Sequence, residues 1–212
     1  MMAWRKRLLA GGSTGNGHLT AVVAAVLLTL LAIEGATLLQ IRALLTVHAF
    51  VGMLLIPVVS LKLASTGWRM LGYYRRSEEY VRLGPPPIVL RAIVAPVLML
   101  STLVLFATGT ALLVLGQTEG TIVGLHKASF IVWFGAAGVH VLAHVTKLPR
   151  LLRARATGAG LRLALATGAV AVGALLAIAT LPSVDRLQDR VSAHVSLDSD
   201  EAGNALVRNS QR

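Results

Sequence analysis

The chain has 212 residues, 55% of them hydrophobic, and a mean hydropathy of +0.72. This composition excludes an ordinary soluble domain, whose apolar residues fill a single core. There is no cysteine, which excludes disulfides, iron–sulfur clusters and metal ligation by thiolates.

The net charge of +11 is spread unevenly along the chain. Thirteen of the 20 Lys and Arg residues lie in three segments that alternate with connections poor in basic residues: Arg5–Arg7, Arg69–Arg91 and Lys147–Arg162. Because cytoplasmic loops of membrane proteins carry the excess of Lys and Arg, this pattern places the N-terminus in the cytoplasm and the C-terminus outside. The charge therefore reflects topology and contact with anionic lipid, and nucleic acid is not a predicted partner.

Five apolar runs are each about long enough to cross a hydrocarbon core as a helix of about 20 residues. They are Leu19–Leu39, Leu44–Ser65, Ile88–Leu115, Thr121–Thr146 and Leu163–Leu181. The sequence predicts an all-α integral membrane bundle of five transmembrane helices, in the plasma membrane, with the N-terminus inside and the C-terminus outside. Residues 1–18 form a basic cytoplasmic segment, residues 19–181 the bundle, and residues 182–212 a polar, partly disordered extracytoplasmic tail.

The first span begins beside His18, which we interpret as an exposed terminal histidine unless it faces His140 or His144 at the same side of the membrane. The connection to the second span carries Arg42 opposite Glu34, and we assign both to the outer interface.

The second span carries His48, Gly52 and Lys62. His48 lies about one turn from the outer face, and Gly52, four residues later, shares its side of the helix, where a missing side chain leaves room for a flat ring. Lys62 follows His48 by fourteen residues. Snorkelling of its amine to the head groups is the favoured interpretation, with a salt bridge to a cofactor carboxylate second and metal ligation a distant third.

The segment Gly67–Pro87 is interpreted as a long, aromatic and basic loop that leads into the third span. The third span contains Ser, Thr and Gly residues, including Thr108 and Gly109, which suit close packing rather than chemistry. The fifth span has Ala169 and Gly173 in small-x-x-x-small spacing and is interpreted as a packing helix.

The fourth span carries His126, His140 and His144, half of all the histidines in the chain. Ionisable side chains are costly at membrane depth and mark functional sites by default. Fourteen residues place His140 roughly 21 Å along the helix axis from His126 and on the same face, and His144 returns to nearly the same azimuth. His126 lies at the depth of His48, so the two can meet, and Lys127 beside it is an interfacial anchor or a partner for a cofactor carboxylate.

Three phrases, "VHAFVG", "YYRR…GPPP…LR" and "LHKASFIVWFGAAGVHVLAH", resemble a group of small actinobacterial membrane proteins. These are distantly similar to bacterial b-type cytochromes and ferric-reductase-like transmembrane domains, and the resemblance covers roughly residues 40–150. It implies a four-helix haem-binding core plus one helix, with haem b held non-covalently by paired histidines. Carried over by residue, it implicates His48, His126 and His140, while Lys62 stands where a fourth histidine is expected and leaves a second haem in doubt.

Three functions stay open at this point. The leading hypothesis is a membrane b-type cytochrome that relays electrons, with a partner subunit or a quinone as candidate donor or acceptor and with a homo-oligomer as a possible assembly. The second is a membrane copper or zinc binding or transport protein that uses His140 and His144, with His48 and His126 as further candidate ligands. The third is a structural membrane subunit whose histidines only hydrogen-bond between helices.

Overall fold

The computed structural model describes residues 12–75, 88–149 and 159–210. The described residues form helices and no strands, which confirms the predicted all-α fold. Five long helices follow one another along the chain: α1 (Gly12–Thr37), α2 (Leu45–Tyr74), α3 (Ala95–Leu115), α4 (Thr121–His144) and α5 (Ala159–Ser210). Each is long and apolar enough to cross a membrane, so five membrane-spanning-type helices are confirmed in the described part of the chain.

Three helices extend further than the sequence predicted, and the first of them, α1, begins at Gly12 and not at Leu19. The α2 helix continues to Tyr74, so residues 67–74 are helical and not part of a loop, and residues 76–87 lie outside the described part. The α5 helix is continuous to Ser210 and passes through Pro182, so the expected short helix of the tail is a continuation of the fifth span. His194, and the side chains of the tail beyond Ala193, lie outside the described side chains.

The turn between α3 and α4 is tight because two glycines adopt backbone angles that other residues rarely adopt. Gly116 ends α3 at φ +63°, and Gly120 precedes α4 at φ +94°. Such left-handed conformations cost glycine little, since it has no Cβ. The turn fixes the start of α4 and so places His126 little more than one helical turn from the N-terminal end of α4.

The start of the third span is widened into a π-helical turn at Leu90–Val94. Only Ala95 separates this turn from Pro96, which has no N–H to continue the helical hydrogen-bond ladder. Five and six residues after Pro96, Ser101 and Thr102 donate their hydroxyl hydrogens to carbonyls of their own helix.

The bundle consists of two groups of helices. The larger group is α1, α2 and α5, with α2 packed most closely against α5, and a buried apolar cluster fills the space between them. In this cluster Gly173 lies directly against the backbone of Leu54, which confirms the predicted packing role of Gly173.

The smaller group is the hairpin of α3 and α4, tied by a hydrogen bond from Trp133 Nε1 to Thr102 Oγ1 of 3.0 Å. Among the described residues, the backbones of α2 and α4 stay largely apart.

Candidate functional site

The candidate site lies where the two groups of helices meet, near the end of the bundle that carries the α1–α2 and α3–α4 connections. His48, on the first turn of α2, and His126, on the second turn of α4, bring their ring centroids to 6.5 Å with the ring planes 89° apart. These are the two histidines that the sequence predicts to lie at the same depth. They come from different groups, so the pair bridges the boundary between the groups.

His48 is held from α1 by two acceptors. Its Nδ1 lies 2.9 Å from Glu34 Oε1 and 3.1 Å from Thr37 Oγ1. The hydroxyl hydrogen of Thr37 is already donated to the carbonyl of Glu34, at 2.6 Å, so the hydroxyl oxygen can only accept from the ring. The proton of His48 is therefore assigned to Nδ1, and the lone pair is on Nε2.

His126 is held from α3 in a comparable way. Its Nδ1 lies 3.1 Å from Thr108 Oγ1, and Thr108 donates its hydroxyl hydrogen to the carbonyl of Val104 at 2.7 Å. The hydroxyl oxygen therefore accepts from Nδ1–H, and the Nε2 lone pair of His126 is also available. Both rings thus have the tautomer that histidine adopts when Nε2 binds a metal and Nδ1–H donates to a neighbouring group.

Two glycines flank the histidines, and each makes room for a different group. A Cβ at Gly109 would lie 3.1 Å from Cε1 of His126, so this glycine of α3 makes room for the ring. A Cβ at Gly52 would lie 3.7 Å from Glu34 Oε1. The space predicted beside Gly52 for a flat ring therefore borders the carboxylate of Glu34.

Sequence reasoning missed Glu34, Thr37 and the role of Thr108. Glu34 lies inside α1, not in the outer connection, and its side chain is only 16% exposed, compared with 22% for His48. Its second oxygen, Oε2, is buried with no hydrogen-bond partner among the described residues. A carboxylate inside a long apolar run is itself a functional signal, and it could have identified Glu34.

The other sequence-predicted histidines lie together on α4. His140 and His144 stack with centroids 4.6 Å apart and planes 24° apart, and His144 Nδ1 lies 2.9 Å from the carbonyl oxygen of His140. Parallel stacked rings do not direct two lone pairs at one ion. No cluster of three or more His, Cys, Asp or Glu residues suited to a metal ion occurs within residues 12–75, 88–149 and 159–210.

The predicted lysines differ in their surroundings. Lys62 donates from Nζ to the carbonyl of Thr20 on α1, at 2.9 Å. Lys127 is exposed beside His126. The side chain of His18 lies outside the described side chains.

Comparison with protein-family models, with curated proteins and with solved structures finds no match for this chain. The resemblance to b-type cytochromes therefore stays a prediction from the sequence.

Proposed function

We propose that this membrane protein is a b-type cytochrome that holds one non-covalent haem b between His48 and His126 and relays electrons in the membrane. The observation that carries this proposal is the pair of imidazoles, 6.5 Å apart across two helix groups, each with Nδ1–H donated to another helix. Haem brings four ligands of its own and needs only two from the protein, which is the number that this site supplies.

The distance between the rings fits two ligands of one metal. Metal–nitrogen bonds of about 2 Å on each side place the centroids of two opposed imidazoles about 6 Å apart. The observed separation of the ring centroids is 6.5 Å, with the ring planes 89° apart. The limited backbone contact between α2 and α4 also favours a flat group between them.

When bound, haem would supply one-electron redox chemistry. The residues of this chain orient the two imidazoles, keep Nε2 unprotonated and surround them with apolar helices. Arg42 and Lys127 are exposed at the outer end and provide positive charge for the haem carboxylates. A partner subunit or a quinone would donate and accept the electrons.

The inner level supports a second haem less well. Among the described side chains, histidines there come from α4 alone, and Lys62 is bonded to the Thr20 carbonyl on α1. The stacking of His140 on His144 also disfavours the copper or zinc alternative. The structural alternative is favoured by the hydrogen bonds of His48 and His126 to neighbouring helices, and the experiment below separates it from the cytochrome.

The test is optical spectroscopy of the full-length protein purified from membranes and supplied with haem. The wild type should give a low-spin b-type spectrum with about one haem per chain. His48→Ala and His126→Ala should each lose that spectrum, and the double variant should lose no more than either alone. His144→Ala, which alters an exposed histidine of the same helix, is the matched control and should keep it. If the wild type binds no haem, the cytochrome is refuted and the structural function is the one that remains.

A further inference from the structure

The two imidazoles of the site are held by chemically different groups. The Nδ1–H of His126 donates to the neutral hydroxyl of Thr108, whereas that of His48 donates to a carboxylate oxygen of Glu34 at 2.9 Å. Hydrogen bonds that involve an ionised group are roughly twice as strong as neutral ones. The proposed haem ligation does not by itself account for Glu34, because Thr37 already accepts from His48.

We propose that Glu34 is a positioning residue of this site. It orients the ring of His48 together with Thr37 and, through its negative charge, lowers the midpoint potential of the haem that His48 ligates. This inference rests on the proposed function, since the potential refers to that haem. It makes the two axial ligands unequal, with His48 the stronger electron donor.

The first reason is the basicity of the ligand. A carboxylate that accepts from Nδ1–H draws the proton towards itself and leaves more electron density on Nε2 of the same ring. A more basic axial ligand stabilises ferric iron relative to ferrous iron, which lowers the midpoint potential. The hydroxyl of Thr108 on the other side is neutral and exerts this effect only weakly.

The second reason is the uncompensated charge of Glu34. Its Oε2 is buried and has no hydrogen-bond partner among the described residues, so the carboxylate is incompletely neutralised. With two neutral imidazoles, the iron–porphyrin core carries a net positive charge when ferric and none when ferrous. A nearby carboxylate therefore stabilises the oxidised form, in the same direction as the effect on ligand basicity.

The third reason is the space that α2 provides for this carboxylate. Gly52 lies one turn after His48, and a Cβ there would lie 3.7 Å from Glu34 Oε1. A long side chain at this position would displace the carboxylate from His48. The His48-x-x-x-Gly52 spacing thus serves the carboxylate that holds the ligand.

The experiment uses the full-length protein with haem in detergent or nanodiscs and compares wild type, Glu34→Gln, Glu34→Asp and Glu119→Gln by absorption and redox titration. Glu119 is an exposed carboxylate at the outer end, so Glu119→Gln removes the same charge without touching His48. All four should keep the spectrum of bis-histidine haem. At a fixed ambient potential, Glu34→Gln should raise the ferrous-to-ferric ratio about tenfold, which is ~59 mV for a one-electron couple.

The variants separate charge from structure. Glu34→Asp keeps the charge but has a shorter side chain, so its ferrous-to-ferric ratio should lie between those of wild type and Glu34→Gln. The ratio of Glu119→Gln should match that of wild type. Equal midpoint potentials for Glu34→Gln and Glu119→Gln, with haem bound in both, would overturn the inference. If Glu34→Gln does not fold, the test is the comparison of Glu34→Asp with wild type. An equal ferrous-to-ferric ratio in these two proteins then overturns the inference.

Failure of the proposed function can be recognised separately. A wild type that binds no haem refutes the cytochrome, and the orienting role of Glu34 is then measured by ¹⁵N NMR of the histidine rings. The Nδ1–H proton of His48 should resonate further downfield in wild type than in Glu34→Gln, where a neutral amide oxygen accepts a weaker hydrogen bond than the carboxylate does. Equal Nδ1–H chemical shifts in the two proteins would refute the orienting role.

Discussion

His48 and His126 have ring centroids 6.5 Å apart and ring planes 89° apart, although they belong to helices whose backbones have little contact. Each ring is oriented from a different neighbouring helix, His48 from α1 and His126 from α3. Four helices therefore contribute to one pair of imidazoles. Histidine in the apolar part of a membrane protein is costly, and two at the same depth with available Nε2 lone pairs favour a ligand-binding role.

Replacement of Thr108 by valine should weaken haem binding about tenfold, because groups that orient a metal-ligating histidine typically contribute 10- to 100-fold to affinity. Valine preserves the shape of threonine and removes only the acceptor of His126 Nδ1–H. The measurement is haem titration of the purified protein. Thr110→Val on the same helix is the control, and equal affinities for the two variants would contradict the assigned role of Thr108.

Gly109→Ala should displace the ring of His126, since the added Cβ would lie 3.1 Å from Cε1. The ring must then move by a few tenths of an ångström, and Gly109→Val should move it further. We expect a graded loss of haem content from glycine to alanine to valine. Gly124→Ala in α4 meets no atom within 4 Å and should bind as wild type. Full haem content in Gly109→Val would show that this glycine does not make room for the ring.

Gly173→Ala should destabilise the protein without acting on the site directly. Its Cβ would overlap the backbone of Leu54, and overpacking of this kind typically costs about 1–3 kcal/mol. The measurement is the free energy of unfolding in mixed micelles. Gly168→Ala on the same helix meets nothing within 4 Å and serves as the control. If both variants unfold alike, α5 does not pack against α2 through Gly173.

The predicted orientation can be tested by cysteine labelling, because the chain has no native cysteine. Glu119→Cys lies in the α3–α4 turn and should react with a membrane-impermeant maleimide on intact cells. Arg75→Cys, at the end of α2, should react only after permeabilisation. If the impermeant maleimide labels Arg75→Cys on intact cells, the predicted orientation is wrong.

Hydropathy was sufficient to predict the five helices, because a span of about 20 apolar residues must satisfy its backbone hydrogen bonds internally. The match between His48 and His126 was also predictable, since both lie near the outer ends of spans that run in the same direction. The extension of α2 to Tyr74 was not, because the aromatic and basic residues after Gly67 resemble an interfacial loop.

The groups that hold the two histidines could not be predicted from spacing alone. Thr108 and Gly109 have the composition of ordinary helix contacts, and only the packing of α3 on α4 brings them to His126. The sequence predicts Glu34 opposite Arg42 in the connection between the first two spans, whereas the structure places its carboxylate against His48. Such pairings depend on the rotation of each helix about its axis, which the periodicity of these uniformly apolar spans does not define.

The most direct test of the central claim is electron paramagnetic resonance of the full-length ferric protein loaded with haem. With His48 and His126 as axial ligands and ring planes near 89° apart, we predict a low-spin signal of the strongly anisotropic kind that perpendicular imidazoles give. Both His48→Ala and His126→Ala should abolish it. The account would be contradicted if the wild type bound no haem, or if the same low-spin signal persisted in both variants.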